Sequence, residues 1–405
     1  MGLVEPTLPS PRLGDRSLFP ALEARAYLNH AAISPPSQRV QAAVVELMSR
    51  YAAQGVGALS HSLEQRERLR QRLAALVGAA PDELGYVANT TAGVRAVALC
   101  VPWRARDRVV LLDGEFPANV TPWQRAAELF GLRLSWLRAQ DFFGSLGAGL
   151  QTLEDALRLG ARMVAVSAVQ FQTGLRMPLA EIGALCRAHG AELFVDAIQG
   201  CGVVPIDVEA MQIDYLSCGS HKWLMGLEGV AFVYARRERA AALRPVVAGW
   251  LSHEEGLRFL FEGAGHLRYD RPIRARADLV EGGATPNILF AALEASVEPI
   301  AALGVPAILE HVGAYDDALE RGLLERGFGS ERSPIPAQRS GILAVQPPAG
   351  VELGPLHQGL QQRGIACTTP DGRLRFAPHW PNSLTEIDAV LAAVDETIAS
   401  GARLT

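Results

Sequence analysis

Only five cysteines are scattered through the 405 residues, at positions 100, 186, 201, 218 and 367, and no two form a CxxC pair. An odd number without ligand spacing argues against both a disulfide framework and a zinc site, and predicts reduced, mostly buried thiols. No segment reaches the ~18 uninterrupted apolar residues of a membrane-crossing helix. The opening MGLVEPTLPSPRLGD also lacks the charged and apolar regions of an export signal. A cytoplasmic location without membrane association is therefore expected. Basic runs interleaved with aromatics are missing, and the formal net charge of −5 is spread along the chain, which argues against nucleic acid as a partner. No GxGxxG unit follows a β-rich run, so a dinucleotide-dependent dehydrogenase is disfavoured.

What is present is the makeup of an ordinary globular chain, 49% hydrophobic and 20% charged, long enough for two packed domains. Gln38–Tyr51 and Glu64–Val77 carry apolar residues at helical spacing. From there the β-rich runs LGYVAN, DRVVLLDG, LRLSWLR, ARMVAVSAV, AELFVDAI, DYLSCG and VAFVYA alternate with helical segments such as Ala92–Cys100, Pro122–Leu132 and Leu179–His189. This alternation predicts an α/β fold whose large domain holds a mostly parallel seven-stranded sheet with helices on both faces. The charged, turn-rich stretch HLRYDRPIRARADLVEGGATPN reads as a crossing between domains. Beyond it, helices Ile288–Leu303 and Pro306–Arg326, strand GILAVQP, helix Pro355–Arg363, strand LRFAP and helix Leu384–Ala399 predict a smaller α+β C-terminal domain. The expected division is an arm over 1–30 associated with the small domain, a large domain over 31–270 and the small domain over 271–405.

Ligands of open α/β sheets gather where strands end and helices begin, and three such junctions carry chemistry. In LGYVANTTAGV, Thr90, Thr91 and Ala92 open a helix and offer hydroxyls and free amides to an anion; a plain N-terminal cap is the alternative. In AELFVDAIQ, Asp196 ends a buried run, where a carboxylate needs a cation or a donor, and Gln199 follows three residues on. In DYLSCGSHKWLMG, Ser220, His221 and Lys222 sit between a strand and an apolar run. Burial there lowers the lysine pKa and makes it nucleophilic, unless its stem threads out to water. An anion cradle, a buried carboxylate and a lysine amine together match pyridoxal 5′-phosphate. Its carbonyl takes the lysine as a Schiff base, and its ring nitrogen needs an acidic partner.

The set YLNHAA, NTTAGV, GEFPANVTPW, VDAIQ, SHKWLMGLEGVAFVY, EGGATPN and LRFAPHWPNS resembles the class V aminotransferase family of fold type I pyridoxal-phosphate enzymes, in family order from Tyr27 to about Asn382. The family includes cysteine desulfurases, kynureninase and isopenicillin N epimerase-like proteins. The resemblance implies that Lys222 forms the Schiff base, that Asp196 pairs with the ring nitrogen, and that Gln199 sits by the phenolic oxygen or the Schiff base. It further implies phosphate binding by Thr91, helped by Thr90, the Ala92 backbone and His221, with Ser220 standing in for a serine that relatives carry at Gly219. Phe116 matches the ring stacked over the cofactor, Thr285 reaches the phosphate of the other subunit in a homodimer, and Arg375 grips the substrate's α-carboxylate. Asn29 and His30 are candidates for substrate contact, and Phe171 stands where relatives often carry an asparagine. Cys367 falls before the turn where a desulfurase carries its nucleophile. The expected activity is therefore an aminotransferase acting on an amino acid, with a C–S lyase or cysteine desulfurase-like enzyme, or an isopenicillin N epimerase-like one, as the alternative.

Overall fold

The computed structural model describes residues 8–401; the first seven residues of the expected arm and the last four of the chain lie outside the described residues. The strands are β1 (Ala26–Tyr27), β2 (Leu84–Val87), β3 (Arg108–Leu112), β4 (Arg133–Leu137), β5 (Ala161–Ser167), β6 (Glu192–Asp196), β7 (Tyr215–Gly219), β8 (Ala231–Ala235), β9 (Gly329–Ser330), β10 (Leu343–Gln346), β11 (Ile365–Ala366) and β12 (Leu374–Phe376). The helices are α1 (Gln38–Gln54), α2 (Leu59–Val77), α3 (Thr90–Cys100), α4 (Thr121–Phe130), α5 (Leu146–Arg158), α6 (Leu179–Ala188), α7 (Arg237–Ala242), α8 (Arg258–Phe261), α9 (Asn287–Leu303), α10 (Val305–Leu324), α11 (Leu353–Gln362) and α12 (Ile387–Ala399).

Strands β2 to β8 are the seven runs read from the sequence, and they form one sheet in the order β2-β8-β7-β6-β5-β3-β4. All run parallel except β8, which is antiparallel to both neighbours. Every residue of β6, β7 and β8 is buried, as expected for central strands covered by helices on both faces. No single helix among the described residues is long and apolar enough to cross a membrane.

Segment 277–280 lies against the sheet edge at β2 instead of crossing between domains. A Cβ at Gly85 would stand 2.4 Å from the Ala277 carbonyl oxygen, so glycine lets the segment cover an edge that would otherwise expose unpaired amides. Helix α9 packs its Phe290, Leu293, Val297 and Ile300 into the same core as Val77, Leu84 and Tyr86. The change to a second core falls inside α10, where Tyr315, Leu319 and Leu323 turn to β10, β12 and α12 through Leu343, Leu374 and Val390. Ala26 and Leu28 join this second core, because β1 pairs in parallel with β11. Sheet β12-β10-β9 places Arg375 at the centre of an edge strand.

Candidate active site

After β7 the chain makes a tight loop before β8, and this loop carries Lys222. The Gly226 amide donates to the Ser220 carbonyl at 2.9 Å and the Met225 amide to the Lys222 carbonyl at 3.0 Å. Met225 takes a left-handed φ of 56°, a strained choice for a side chain of its size. The Ser220 hydroxyl donates to the Leu227 carbonyl, so it braces the loop.

Segments far away in sequence hold the same loop. The Ser34 hydroxyl donates to the Lys222 carbonyl at 2.6 Å and therefore accepts from His30 Nδ1 at 2.7 Å. His379 accepts from the Trp380 amide at Nδ1 and donates from Nε2 to the Trp223 carbonyl at 2.9 Å, which makes it the neutral Nε2–H tautomer. Burial pushes its pKa down to about 4. Gln199 accepts from Trp223 Nε1 at 2.8 Å and donates to the Ala31 carbonyl at 3.0 Å. His30 and Gln199 are thus committed to the frame around the lysine, with one amide N–H of Gln199 left over.

The lysine head lies among groups from four other places. Its Nζ stands 5.5 Å from the centroid of the Phe116 ring, which is 46% exposed and meets Phe171 edge to face at 5.3 Å. Burial lowers the Lys222 pKa from 10.5 to about 8, Asp196 opposes the shift and the Arg375 guanidinium adds to it. Asp196 is buried, accepts from the Ile198 amide at 3.0 Å, and is pushed up to about 6 by desolvation against the pull of that amide and of Lys222. A carboxyl and an amine are held within electrostatic reach of each other, with burial opposing both charged forms.

At the other end, Thr90 and not Thr91 is the enclosed hydroxyl. Thr90 Oγ1 is buried and has no hydrogen-bond partner, whereas Thr91 is exposed. The Ala92 amide is already taken by the Asn89 side chain at 2.8 Å, so the cap of this helix is Asn89 and not the threonine that the sequence offered as the alternative. A Cβ at Gly219 would stand 2.9 Å from Thr90 Oγ1 and 3.5 Å from His221 Cε1. The glycine therefore lets the start of α3, the end of β7 and His221 approach one another closely. An orphaned buried hydroxyl, a helix start and an absent side chain make a fitting cradle for a phosphate.

Arg375 Nη1 donates to the Phe171 carbonyl at 2.6 Å while its buried Nε has no partner, and burial lowers its pKa to about 10, so it stays charged. Asn29 bridges to Ala377, two residues along from Arg375, with its buried Oδ1 unpartnered. Thr285 donates to Asn287 and lines a separate recess with Tyr86, Ala88 and Gly229. The chemistry of Lys222, Asp196, Phe116 and Thr90 fits pyridoxal 5′-phosphate: an amine for its carbonyl, a carboxyl for its ring nitrogen, an aromatic ring for its face and an unpartnered hydroxyl for its phosphate. Sequence reading overlooked Glu115, whose carboxyl accepts from the Ser167 amide at 2.7 Å and pairs with the Ser167 hydroxyl. The only sequence signal for it was its place beside Phe116.

A family model described as Aminotransferase class-V matches residues 26–374. The chain is 28% identical to the uncharacterized aminotransferase YcbU of Bacillus subtilis (strain 168), over 95% of this chain and 96% of that protein. It is 27% identical to the isopenicillin N epimerase of Streptomyces clavuligerus, over 80% of this chain and 83% of the other. Among solved structures, the apo cysteine desulfurase of Thermococcus onnurineus NA1 shares the fold with a TM-score of 0.82 at 23% identity, covering 93% of this chain and 95% of that one. The cystine C-S lyase C-DES, solved with cysteine persulfide, does so with a TM-score of 0.83 at 22% identity, covering 93% and 98%.

Proposed function

Because the chain belongs to the class-V aminotransferase family, we propose that it is a pyridoxal 5′-phosphate-dependent aminotransferase acting on an amino acid through Lys222. The observation that carries this reading is the place of Lys222, whose Nζ stands 5.5 Å from the Phe116 ring centroid within electrostatic reach of Asp196 and Arg375. Bound there, the cofactor supplies an electron sink for the bond broken at the substrate's Cα. Lys222 would hold its carbonyl and, as a neutral amine, would move the Cα proton as base and then acid. Asp196 would accept from its ring nitrogen, Phe116 would cover a ring face, and Thr90 with the start of α3 would hold its phosphate. Arg375 offers its unpartnered Nε–H to the substrate's α-carboxylate. Thr285 completes the phosphate site of a second subunit in a homodimer, and the protein works in the cytoplasm.

The cysteines favour transamination over a desulfurase reaction that uses an enzyme thiol. Cys367 sits in the second core beside Leu360 and Leu374, and burial pushes its thiol up to about 12. A sulfur nucleophile must be a thiolate with room to move, and all five cysteines are buried. The deciding experiment mixes the loaded protein with each common L-amino acid and follows the absorption spectrum together with keto-acid release. Keto acid formed in step with conversion of the cofactor to its amine form supports the proposal. Racemised amino acid without keto acid would replace it with epimerisation, and keto acid released together with ammonia and sulfide while the cofactor keeps its aldehyde form would replace it with elimination.

A further inference from the structure

Four neighbouring strand ends line up a chain of polar groups that continues past Asp196. Glu115 follows β3, Ser167 ends β5, Asp196 ends β6, and Lys222 follows β7. Strands β3 and β5 are partners, and Ser167 is in register with Asp196. The Glu115 carboxyl takes both donors of Ser167, its amide at 2.7 Å and its hydroxyl. A second carboxyl is thereby fixed behind the first, on the side away from the lysine.

We propose that Glu115 is a positioning residue that acts through Asp196, adding a second carboxylate behind it and so favouring the protonated state of a ring nitrogen bound there. This rests on the reading that Lys222 and Asp196 hold pyridoxal 5′-phosphate. Two carboxyls this close do not both ionise readily in a buried place. Burial, and then Asp196, push Glu115 up to about 7, while its two bonds from Ser167 oppose that shift. The proton of the empty pair therefore rests on Glu115. A cationic ring nitrogen at Asp196 would cancel the Asp196 part of that shift, though not the part from burial, and so favour the ionised form of Glu115. By reciprocity, the ionised Glu115 raises the proton affinity of the nitrogen. The other groups facing the pair are the Ser167 hydroxyl from β5, Lys222 from the loop after β7, and the Asn119 amide, whose buried Nδ2 has no partner. Of these only Lys222 carries charge, and it lies beyond Asp196.

The test uses cofactor labelled with nitrogen-15 in the ring and reads its chemical shift against pH in the loaded protein. In Glu115→Gln, Ser167 keeps both partners because its hydroxyl can turn from donor to acceptor. The pH at which the nitrogen loses its proton is expected to fall by about one unit, a tenfold loss of proton affinity. Ser167→Ala, which leaves the charge in place, is expected to fall by much less. Equal pH values in wild type and Glu115→Gln would overturn the proposal, as would equal falls in the two variants. Wild-type protein gives an independent check: a buried carboxylic-acid carbonyl band in the infrared is expected to vanish when cofactor is added near pH 6.5, and its persistence would also overturn the proposal. If no labelled ring binds to wild-type protein at all, the cofactor reading itself has failed.

Discussion

The amine of Lys222 makes a quantitative claim that can be tested without knowing the substrate. An ordinary lysine with a pKa of 10.5, against about 8 here, has roughly one neutral amine in 3,200 at pH 7, whereas Lys222 has roughly one in 11. The neutral form is the nucleophile, so at pH 7 Lys222 is poised to attack a carbonyl about 300-fold more often than a surface lysine. Cofactor-free protein is mixed with pyridoxal 5′-phosphate at pH 6 to 10, the linkage is trapped with borohydride, and the modified peptide is quantified by mass spectrometry. The rate at Lys222 is expected to rise up to about pH 8 and then level off. Asp196 opposes the shift, so in Asp196→Asn the plateau is expected to begin at lower pH. A rate at Lys222 that climbs tenfold per pH unit through pH 10 would refute the reasoning, because it would mean the amine is solvated like any other.

Three further outcomes follow from the same geometry. Thr90→Val removes the orphaned hydroxyl and should weaken cofactor retention about tenfold, roughly one lost hydrogen bond to a charged group, while Thr91→Val changes it little; equilibrium dialysis separates the two. Arg375→Lys loses the guanidinium fork and should weaken amino-acid binding tenfold or more, read from spectral titration, with cofactor affinity unchanged. Lys222→Met should stabilise the cofactor-free protein at pH 7 by up to about 3 kcal/mol. The folded pKa lies below the unfolded one, so the folded state binds fewer protons between about pH 8 and 10.5. The lysine's penalty is full below that window and fades as pH rises through it. Urea titrations at pH 7 and pH 10 should therefore show a gap between variant and wild type that narrows at the higher pH.

Most of the seven strands were legible because they are short, nearly unbroken apolar runs between turns, and burial on both faces leaves little other composition possible; the edge strand β4, RLSWL, is buried only at Leu137 and shows instead as an alternating run. The ends of those runs were legible for the same reason, which is how Asp196 and Lys222 stood out before any coordinates. Contacts made by small polar groups across long stretches of chain were not legible. Thr90 and Thr91 are neighbours in sequence, and only the helix turn decides that the first is enclosed beside Gly219 and the second faces outward. Nothing local tells that Gln199 spends its amide on Ala31 and Trp223. The pairing of β1 with β11 joins two-residue strands near opposite ends of the chain, too short for any periodicity to register.

Those illegible contacts explain why the lysine can be kept in a costly state. Its carbonyl is gripped by Ser34, and the next carbonyl by His379. His379 lies four residues beyond Arg375, past the end of β12, and Arg375 reaches back to the large domain through the Phe171 carbonyl. The segment that carries Arg375 and the loop that carries the amine are therefore one braced unit. Under the proposed function, a substrate that draws Arg375 away from Phe171 would strain the segment that also holds Trp223. The spacing between amine and guanidinium is thereby tied to distant parts of the fold, Ser34 among them, through hydrogen bonds to the loop backbone.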